Sequence, residues 1–200
     1  MGTKTRIYTY QHRDVLSAAL EHGYLTGSEE HAFFDADERE HMAWPYGWMR
    51  RQMATRLPAY SGDWPVWAYT RRPSWRKFHR SWSPESRRDL VRITALVPRD
   101  RVLLSDLDLW HLPLNHGYLS LTEAEDNAIS QANLSREQIE ESWQRIFDLD
   151  RPAIADEIQW IRSTRPVVQA CVDRIFLAEI VSLRDVASGQ TWSPTLFHTA

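Results

Sequence analysis

The stretch Leu103-Leu-Ser-Asp-Leu-Asp-Leu-Trp-His-Leu-Pro-Leu-Asn115 follows a β-like run and places Ser105, Asp106, Asp108 and His111 between leucines. A solvated loop does not carry leucines at this density, and an ordinary core strand does not carry two aspartates and a histidine. Buried or half-buried polar groups need hydrogen-bonding partners. The stretch therefore predicts a polar network where a strand turns into a short helix that Pro113 ends.

The polar residues of this stretch admit two interpretations. If the chain turns helical after Asp106, Asp108 and His111 share a helix face, and an aspartate beside a histidine can orient the ring for acid–base chemistry. In the structural alternative, Ser105 or Asp106 caps the turn and His111 bonds to a backbone carbonyl. Two carboxylates and a histidine can also hold a hard divalent ion, but Asp-x-Asp is a weak signal and we expect no metal.

Composition favours one globular domain over residues 1–200. The chain is 42% hydrophobic and 26% charged, and no apolar run approaches the roughly 20 residues of a membrane span. Residues 1–7 lack the apolar core of a secretion signal. The single cysteine, Cys171, excludes an internal disulfide and a thiolate zinc cluster. We therefore expect a cytoplasmic protein that does not associate with membranes.

The periodicity of the chain predicts the order of its elements. Predicted strands are 6–10, 65–70, 90–97, 102–104, 166–172 and 178–183, and predicted helices are 14–22 ending at Gly23 and others beginning at Pro45, Ser135 and Pro152. Capping-box patterns begin at Thr122 and Ser135. Alternating βαβ units are absent, so the order favours an α+β fold: a single domain with a mixed or antiparallel sheet and flanking helices.

A basic, aromatic-rich loop is predicted at about residues 71–88. It holds seven arginines and lysines against Glu85 alone, and three aromatic residues interleave with them. Such a segment suits a nucleic-acid backbone with stacked bases. The alternative is a surface excursion whose tryptophans fold back as anchors. The candidate nucleic-acid-binding residues are Arg71, Arg72, Arg76 and Lys77.

Ten tryptophans are an unusual number for this length. Trp67 and Trp110 lie in or beside strands, so we expect both to be mostly buried. Trp75 and Trp82 belong to the basic loop and should be more exposed.

The helix predicted from Pro45 carries an apolar stripe that includes Trp48, Met49 and Met53, which is typical of a core-facing surface. Gln52 and Arg56 would then lie at the edge of a cleft. Glycine-rich phosphate loops, a serine-hydrolase elbow and an H-E-x-x-H metal motif are absent from the sequence.

Several segments together resemble an uncharacterised bacterial family, domain of unknown function 3841. They are Tyr8-Thr-Tyr-Gln11, Gly23-Tyr-Leu25, Tyr46-Gly-Trp-Met49 with Gln52-Met53, Pro65-Val-Trp-Ala68, Leu104-Ser-Asp-Leu-Asp-Leu-Trp-His111, Ser142-Trp-Gln-Arg-Ile-Phe-Asp148 and Val168-Gln-Ala170. The segments cover nearly the whole chain, but the family's name carries no activity.

A fainter resemblance is to the NAD-using ADP-ribosyltransferase fold. The strand, turn and helix of residues 7–25 and the late strand pair of residues 167–183 carry it. The resemblance implies an NAD site whose cofactor-binding residues are Arg6, Thr9, Gln11, Gln52 and Arg56. It implies that Gln169 replaces the family's catalytic glutamate, so that Asp106 or Asp108, beside His111, would have to supply the carboxylate.

Two hypotheses of function therefore stand. The first is an ADP-ribosyltransferase-like enzyme, or a catalytically altered relict of one, that binds NAD or a similar small nucleotide. The second is a non-enzymatic module that binds nucleic acid or a protein through the basic tryptophan-rich loop.

Overall fold

The computed structural model describes residues 2–32, 35–73, 83–150 and 166–192. The strands are β1 Lys4–His12, β2 Tyr24–Thr26, β3 Val66–Tyr69, β4 Leu90–Pro98, β5 Leu103–Asp106, β6 Val168–Val172, β7 Arg174–Phe176, β8 Ile180–Asp185 and β9 Thr191–Trp192. The α-helices are α1 Val15–His22, α2 Glu29–Ala32, α3 Ala36–Arg56, α4 Pro84–Arg88, α5 Leu107–Leu114, α6 Glu123–Ile129 and α7 Arg136–Trp143. The helix predicted from Pro152 lies outside the described residues.

Seven of the strands form one sheet in the order β5-β6-β3-β1-β4-β8-β9, and β2 pairs with β7 separately. Strand β1 is antiparallel to both β3 and β4, and β8 is antiparallel to both β4 and β9. The α+β class with a mixed or antiparallel sheet, predicted from the element order, is confirmed by this mostly antiparallel sheet.

The contacts of the chain divide it into two compact units. The first consists of residues 1–32, 53–103 and 170–200, and the second of residues 33–52 and 104–169. The expectation of one globular domain over residues 1–200 stays a prediction.

The core of the first unit lies on one face of the sheet. Ile7 of β1, Ile93 of β4 and Leu183 of β8 are each at most 1% exposed. Side chains alternate between the two faces of a strand, and the strand pairing places these three on the same face. Helix α1 ends as predicted at Gly23, which adopts a left-handed conformation (φ 80°) and donates its N–H to the carbonyl of Ala19.

The core of the second unit is built around Trp48 of α3. Its ring lies 5.4 Å from that of Trp143 in an edge-to-face arrangement, and it stacks on Phe147 at 5.8 Å and on Trp110 at 6.4 Å. Aromatic pairs in these geometries stabilise a core beyond their buried area. Trp110 is buried as predicted, and Trp67 of the first unit has intermediate exposure with its indole Nε1 buried. Trp75 and Trp82 lie outside the described residues.

The prediction that Pro45 begins a helix is wrong, because α3 begins at Ala36 and contains Pro45. A proline inside a helix has no N–H to donate to the carbonyl four residues earlier, which here belongs to His41. The ring of His116 takes over this role, since its Nε2 donates to the His41 carbonyl oxygen at 2.6 Å. His41 in turn donates through Nε2 to the Leu114 carbonyl at 2.9 Å. The hydrogen bond from His116 to the His41 carbonyl compensates for the one that the proline removes.

Local capping explains the start of α6 and α7. Ser135 and Gln138 form the complete predicted capping box. Thr122 accepts from the N–H of Glu125, but the Glu125 carboxylate accepts from the N–H of Leu121 rather than from that of Thr122. Only half of the box predicted at Thr122 is therefore formed.

Helix α5 begins as the sequence predicts, with Asp106 as its cap. The Asp106 carboxylate accepts from the N–H groups of Asp108 at 2.9 Å and Leu109 at 3.3 Å. These bonds satisfy two of the backbone donors that the start of a helix leaves unpaired. The structural role of Asp106 is thereby confirmed.

No helix in the described part of the chain combines the length and the apolar character of a membrane span.

We predict that the cap contributes measurably to stability. Asp106→Ala removes both hydrogen bonds and should lower the free energy of unfolding by about 1 kcal/mol, whereas Asp106→Asn keeps a carbonyl oxygen in place and should cost less. Asp108→Ala, at an exposed position of the same turn, is the matched control and should cost at most about 0.5 kcal/mol. Urea denaturation measures all three. Equal and large losses for the Ala and Asn variants of Asp106 would instead indicate a buried charge in a paired network.

Candidate anion-binding site

Three polar side chains lie in a row across the centre of the sheet. Arg92 of β4 is paired with Tyr10 of β1 on one side and with Arg184 of β8 on the other. Directly opposed residues of antiparallel strands project to the same face, with their β-carbons about 5 Å apart. This face is opposite to that of Ile7 and Ile93, so the three side chains lie on the side of the sheet away from that apolar core.

Arg92 is the unusual member of the row because it is only 8% exposed. It donates a hydrogen bond to the Tyr10 hydroxyl. Within the part of the chain that the structure describes, its buried Nε has no hydrogen-bonding partner and Arg92 forms no ion pair. A buried guanidinium normally has a carboxylate beside it, because the desolvation of an unpaired charge is costly.

The charges around Arg92 are positive. Burial lowers the pKa of Arg92, and the nearby charges of Arg72 and Arg184 lower this pKa further, while Tyr10 opposes them. Burial likewise raises the pKa of Tyr10, against the attraction of Arg92. We call Arg72, Arg92 and Arg184 the arginine cluster. None of the groups that act most strongly on Arg92 is a carboxylate.

Aromatic side chains and further cations border the arginine cluster. The Tyr69 ring stands edge-on to that of Tyr10, with 6.3 Å between their centroids, and Tyr69 is 36% exposed. The chain then leaves β3 through Arg71 and Arg72, both exposed. The described start of the predicted basic loop therefore adjoins the cluster, while Arg76 and Lys77 lie outside the described residues.

Of the cofactor-binding residues predicted in β1, only Arg6 lies on the face of the arginine cluster. Thr9 is buried on the opposite face, where its hydroxyl donates to the Trp67 carbonyl at 2.8 Å, and Gln11 donates to the Thr9 hydroxyl at 2.7 Å. Alternation along the strand separates Arg6 from the other two. The structure thus does not bring these three side chains together.

The predicted catalytic residues lie in the second unit, and three of them have hydrogen-bonding partners there. Gln169 is buried and donates through Nε2 to the Ser105 hydroxyl at 3.1 Å. His111 is exposed and its Nδ1 lies 2.9 Å from the Leu107 carbonyl oxygen. Asp106 caps α5 and Asp108 is exposed. Their catalytic roles stay predictions.

Gln52 and Arg56 belong to the same helix, α3, as the apolar stripe in which Met49 and Met53 are buried. Gln52 is half-buried and Arg56 is exposed. Their predicted role in binding a cofactor stays a prediction.

Cys171 behaves as the small buried hydrophobe that a lone cysteine favours. It is fully buried, and its sulfur lies 3.5 Å from that of Met53. Burial raises the pKa of the Cys171 thiol well above its ordinary value, and the charge of Asp173 raises it further. A thiol of this kind is a poor nucleophile. Among the described residues, no group of three or more His, Cys, Asp or Glu side chains is placed to hold a metal ion.

The comparison with protein families identifies the chain. Residues 6–161 match the family described as Domain of unknown function (DUF3841), and this range covers more than half of the chain. The protein belongs to this family, as the resemblance of its sequence segments predicted. No curated protein matches the chain, and no solved structure matches it.

We predict that Arg92 lowers the stability of the free protein. Arg92→Met replaces an unpaired buried cation by an apolar side chain of similar length and should leave the free energy of unfolding unchanged or raise it. The matched control is Arg101→Met in the same unit, because Arg101 donates to Glu179 at 2.6 Å and both side chains are largely buried. Loss of that pair should cost about 2–3 kcal/mol. Denaturant unfolding measures both variants. A loss for Arg92→Met as large as that for Arg101→Met would mean that Arg92 has a structural partner.

Proposed function

We propose that this protein binds nucleic acid, with the arginine cluster holding phosphate. The observation that carries the proposal is a guanidinium buried at the centre of a sheet, with two further arginines near it and, among the residues that the structure describes, no carboxylate paired to it. Guanidinium groups bind phosphate oxygens through pairs of charge-assisted hydrogen bonds. An anion at this position would offset the repulsion among the three cations and the desolvation of Arg92.

The surroundings of the arginine cluster favour nucleic acid over a small inorganic anion. Tyr10 and Tyr69 supply ring surfaces beside the cations, and proteins that bind single strands combine cationic grooves with aromatic rings on which bases stack. The sequence after Arg72 continues with basic residues between tryptophans and a phenylalanine. The rings would give a phosphate site stacking surfaces for bases, and the composition of the following segment suits a polynucleotide backbone.

In this proposal the basic loop contributes to binding nucleic acid, as in the hypothesis of a non-enzymatic binding module. The cluster adds Arg92, four residues after the loop in β4, and Arg184, which lies in β8 and is distant in sequence. Thr9 and Gln11, which the NAD hypothesis requires, already hydrogen-bond to their own strand or to β3. The described contacts therefore support phosphate binding by the cluster better than they support a nicotinamide site in β1.

We predict salt-dependent binding of single-stranded RNA and DNA. Fluorescence anisotropy with labelled strands of about 20 nucleotides should show affinity that falls steeply between about 50 and 200 mM salt, because bound counterions are released. Arg72→Gln and Arg184→Gln should each weaken binding and reduce the slope of log affinity against log salt by about one unit. Arg39→Gln, at an exposed position of α3, is the matched control and should change neither.

Two results would contradict the proposal. One is the absence of binding at low salt, and the other is binding that ignores both salt and the cluster variants. Calorimetry with NAD at about millimolar concentration tests the alternative function. Heat of binding with NAD, together with no binding of the RNA or DNA strand, would favour the ADP-ribosyltransferase hypothesis.

A further inference from the structure

We infer that a single strand of nucleic acid lies along the outward face of β1, with bases stacked on tyrosine rings and a second phosphate contact at Arg6, and that this face selects single strands over duplexes. This inference rests on the proposed function and deepens it, because it gives the path of the strand and the reason why paired bases are disfavoured.

The outward face of β1 consists of cations and aromatic rings. Every second residue of the strand projects away from the core side chain Ile7. The strands β1, β3 and β4 contain no acidic residue, so charge complementarity favours a polyanion on this face. The outward residues of β1 are Lys4, Arg6, Tyr8, Tyr10 and His12.

A pair of tyrosines occupies the middle of this face. Tyr8 of β1 is directly opposite Tyr69 of β3, and side chains opposed in this way have β-carbons about 5 Å apart. Tyr10 stands edge-on to Tyr69, with 6.3 Å between the ring centroids. Tyr69 is 36% exposed and Tyr8 has intermediate exposure, so both rings are open to a ligand in part. Unpaired bases can stack on such rings.

Arg6 and Lys4 supply positive charge at the far end of the row. Both side chains are exposed, and neither forms an ion pair with another residue that the structure describes. Arg6 lies four residues from Tyr10 along β1, which is about 13 Å at the rise of an extended strand. Tyr10 adjoins the arginine cluster, so the pair of tyrosines stands between two cationic ends. A polynucleotide can contact both ends at once, whereas a single phosphate cannot.

The rings, and not the charges, give the preference for single strands. Duplex DNA carries one negative charge per about 1.7 Å of its axis, so a surface that contacted phosphates alone would hold a duplex at least as tightly as a single strand. The bases of a duplex are stacked on one another, and a protein reaches their faces only by taking a base out of the stack. Tighter binding of the single strand therefore reports stacking on the tyrosines.

The test compares a DNA strand of about 20 nucleotides with the duplex of the same sequence in the anisotropy assay. We expect the unaltered protein to bind the single strand about ten-fold more tightly, the contribution of about one stacked base. Tyr69→Leu should remove this preference by weakening the single-strand complex, and it should leave the affinity for the duplex and the salt dependence unchanged. Tyr69→Phe restores the ring and should restore the preference.

Arg6→Gln tests the path of the strand. It removes a phosphate contact about 13 Å from the arginine cluster, so the slope of log affinity against log salt should fall by about one unit. The preference for the single strand should persist, because the rings are intact. The double variant of Arg6→Gln with Arg72→Gln should lower the slope by about two units, since the two contacts are separate. Arg39→Gln is the control and should change neither slope nor preference.

The outcomes separate the inference from the proposed function. Salt-dependent binding of the duplex as tightly as of the single strand overturns the inference and leaves nucleic-acid binding at the arginine cluster standing. Absence of binding by both forms of DNA overturns both claims. Equal loss of the preference in Tyr69→Leu and Tyr69→Phe, or an unchanged slope in Arg6→Gln, also overturns the inference. If the Tyr69 variants fail to fold, the duplex comparison and Arg6→Gln decide.

Discussion

The pairing of β1 with β4 is the constraint on which the sheet depends. These two strands match residue for residue from Lys4–Pro98 to His12–Leu90, and β3 and β8 add to their outer edges. A shift of one residue in this register would move every side chain of β1 to the other face. The burial of Ile7 opposite the Tyr10 face excludes such a shift. The same register places Tyr10 beside Arg92, so the fold and the candidate site rest on one set of hydrogen bonds.

Local sequence patterns predicted the elements whose causes are local. The i,i+4 apolar pairs and Gly23 predicted α1, and Asp106 before a leucine-rich turn predicted the cap of α5. The start of α3 was missed because its cause is tertiary. Pro45 is tolerated inside the helix where His116 supplies the hydrogen bond to the His41 carbonyl, and sequence spacing does not reveal that contact.

The site shows the same division between local and nonlocal causes. The charge of its segment is visible along the chain and marks Arg72 as a candidate, whereas no sequence pattern brings Arg92 and Arg184 together. One signal was present: Arg92 is the only charged residue within the apolar run Leu90-Val-Arg-Ile-Thr-Ala-Leu-Val97. Its position beside Arg184 depends on the pairing of β4 with β8, which connects residues that are distant in sequence. The leucine-rich stretch 103–115 predicted a polar network instead. There Asp106 accepts from the start of its own helix, and Ser105 accepts from Gln169, which is 64 residues away.

The central claim is that an anion from outside the chain completes the environment of Arg92. Anomalous diffraction from crystals of the protein soaked in selenate, a tetrahedral dianion, tests this claim most directly. The account predicts an anomalous peak within about 4 Å of the Arg92 guanidinium carbon, in hydrogen-bonding reach of Arg72 or Arg184, and no peak there in Arg92→Met crystals. A carboxylate of the chain itself bound to Arg92, with no anion at the arginine cluster, would contradict it.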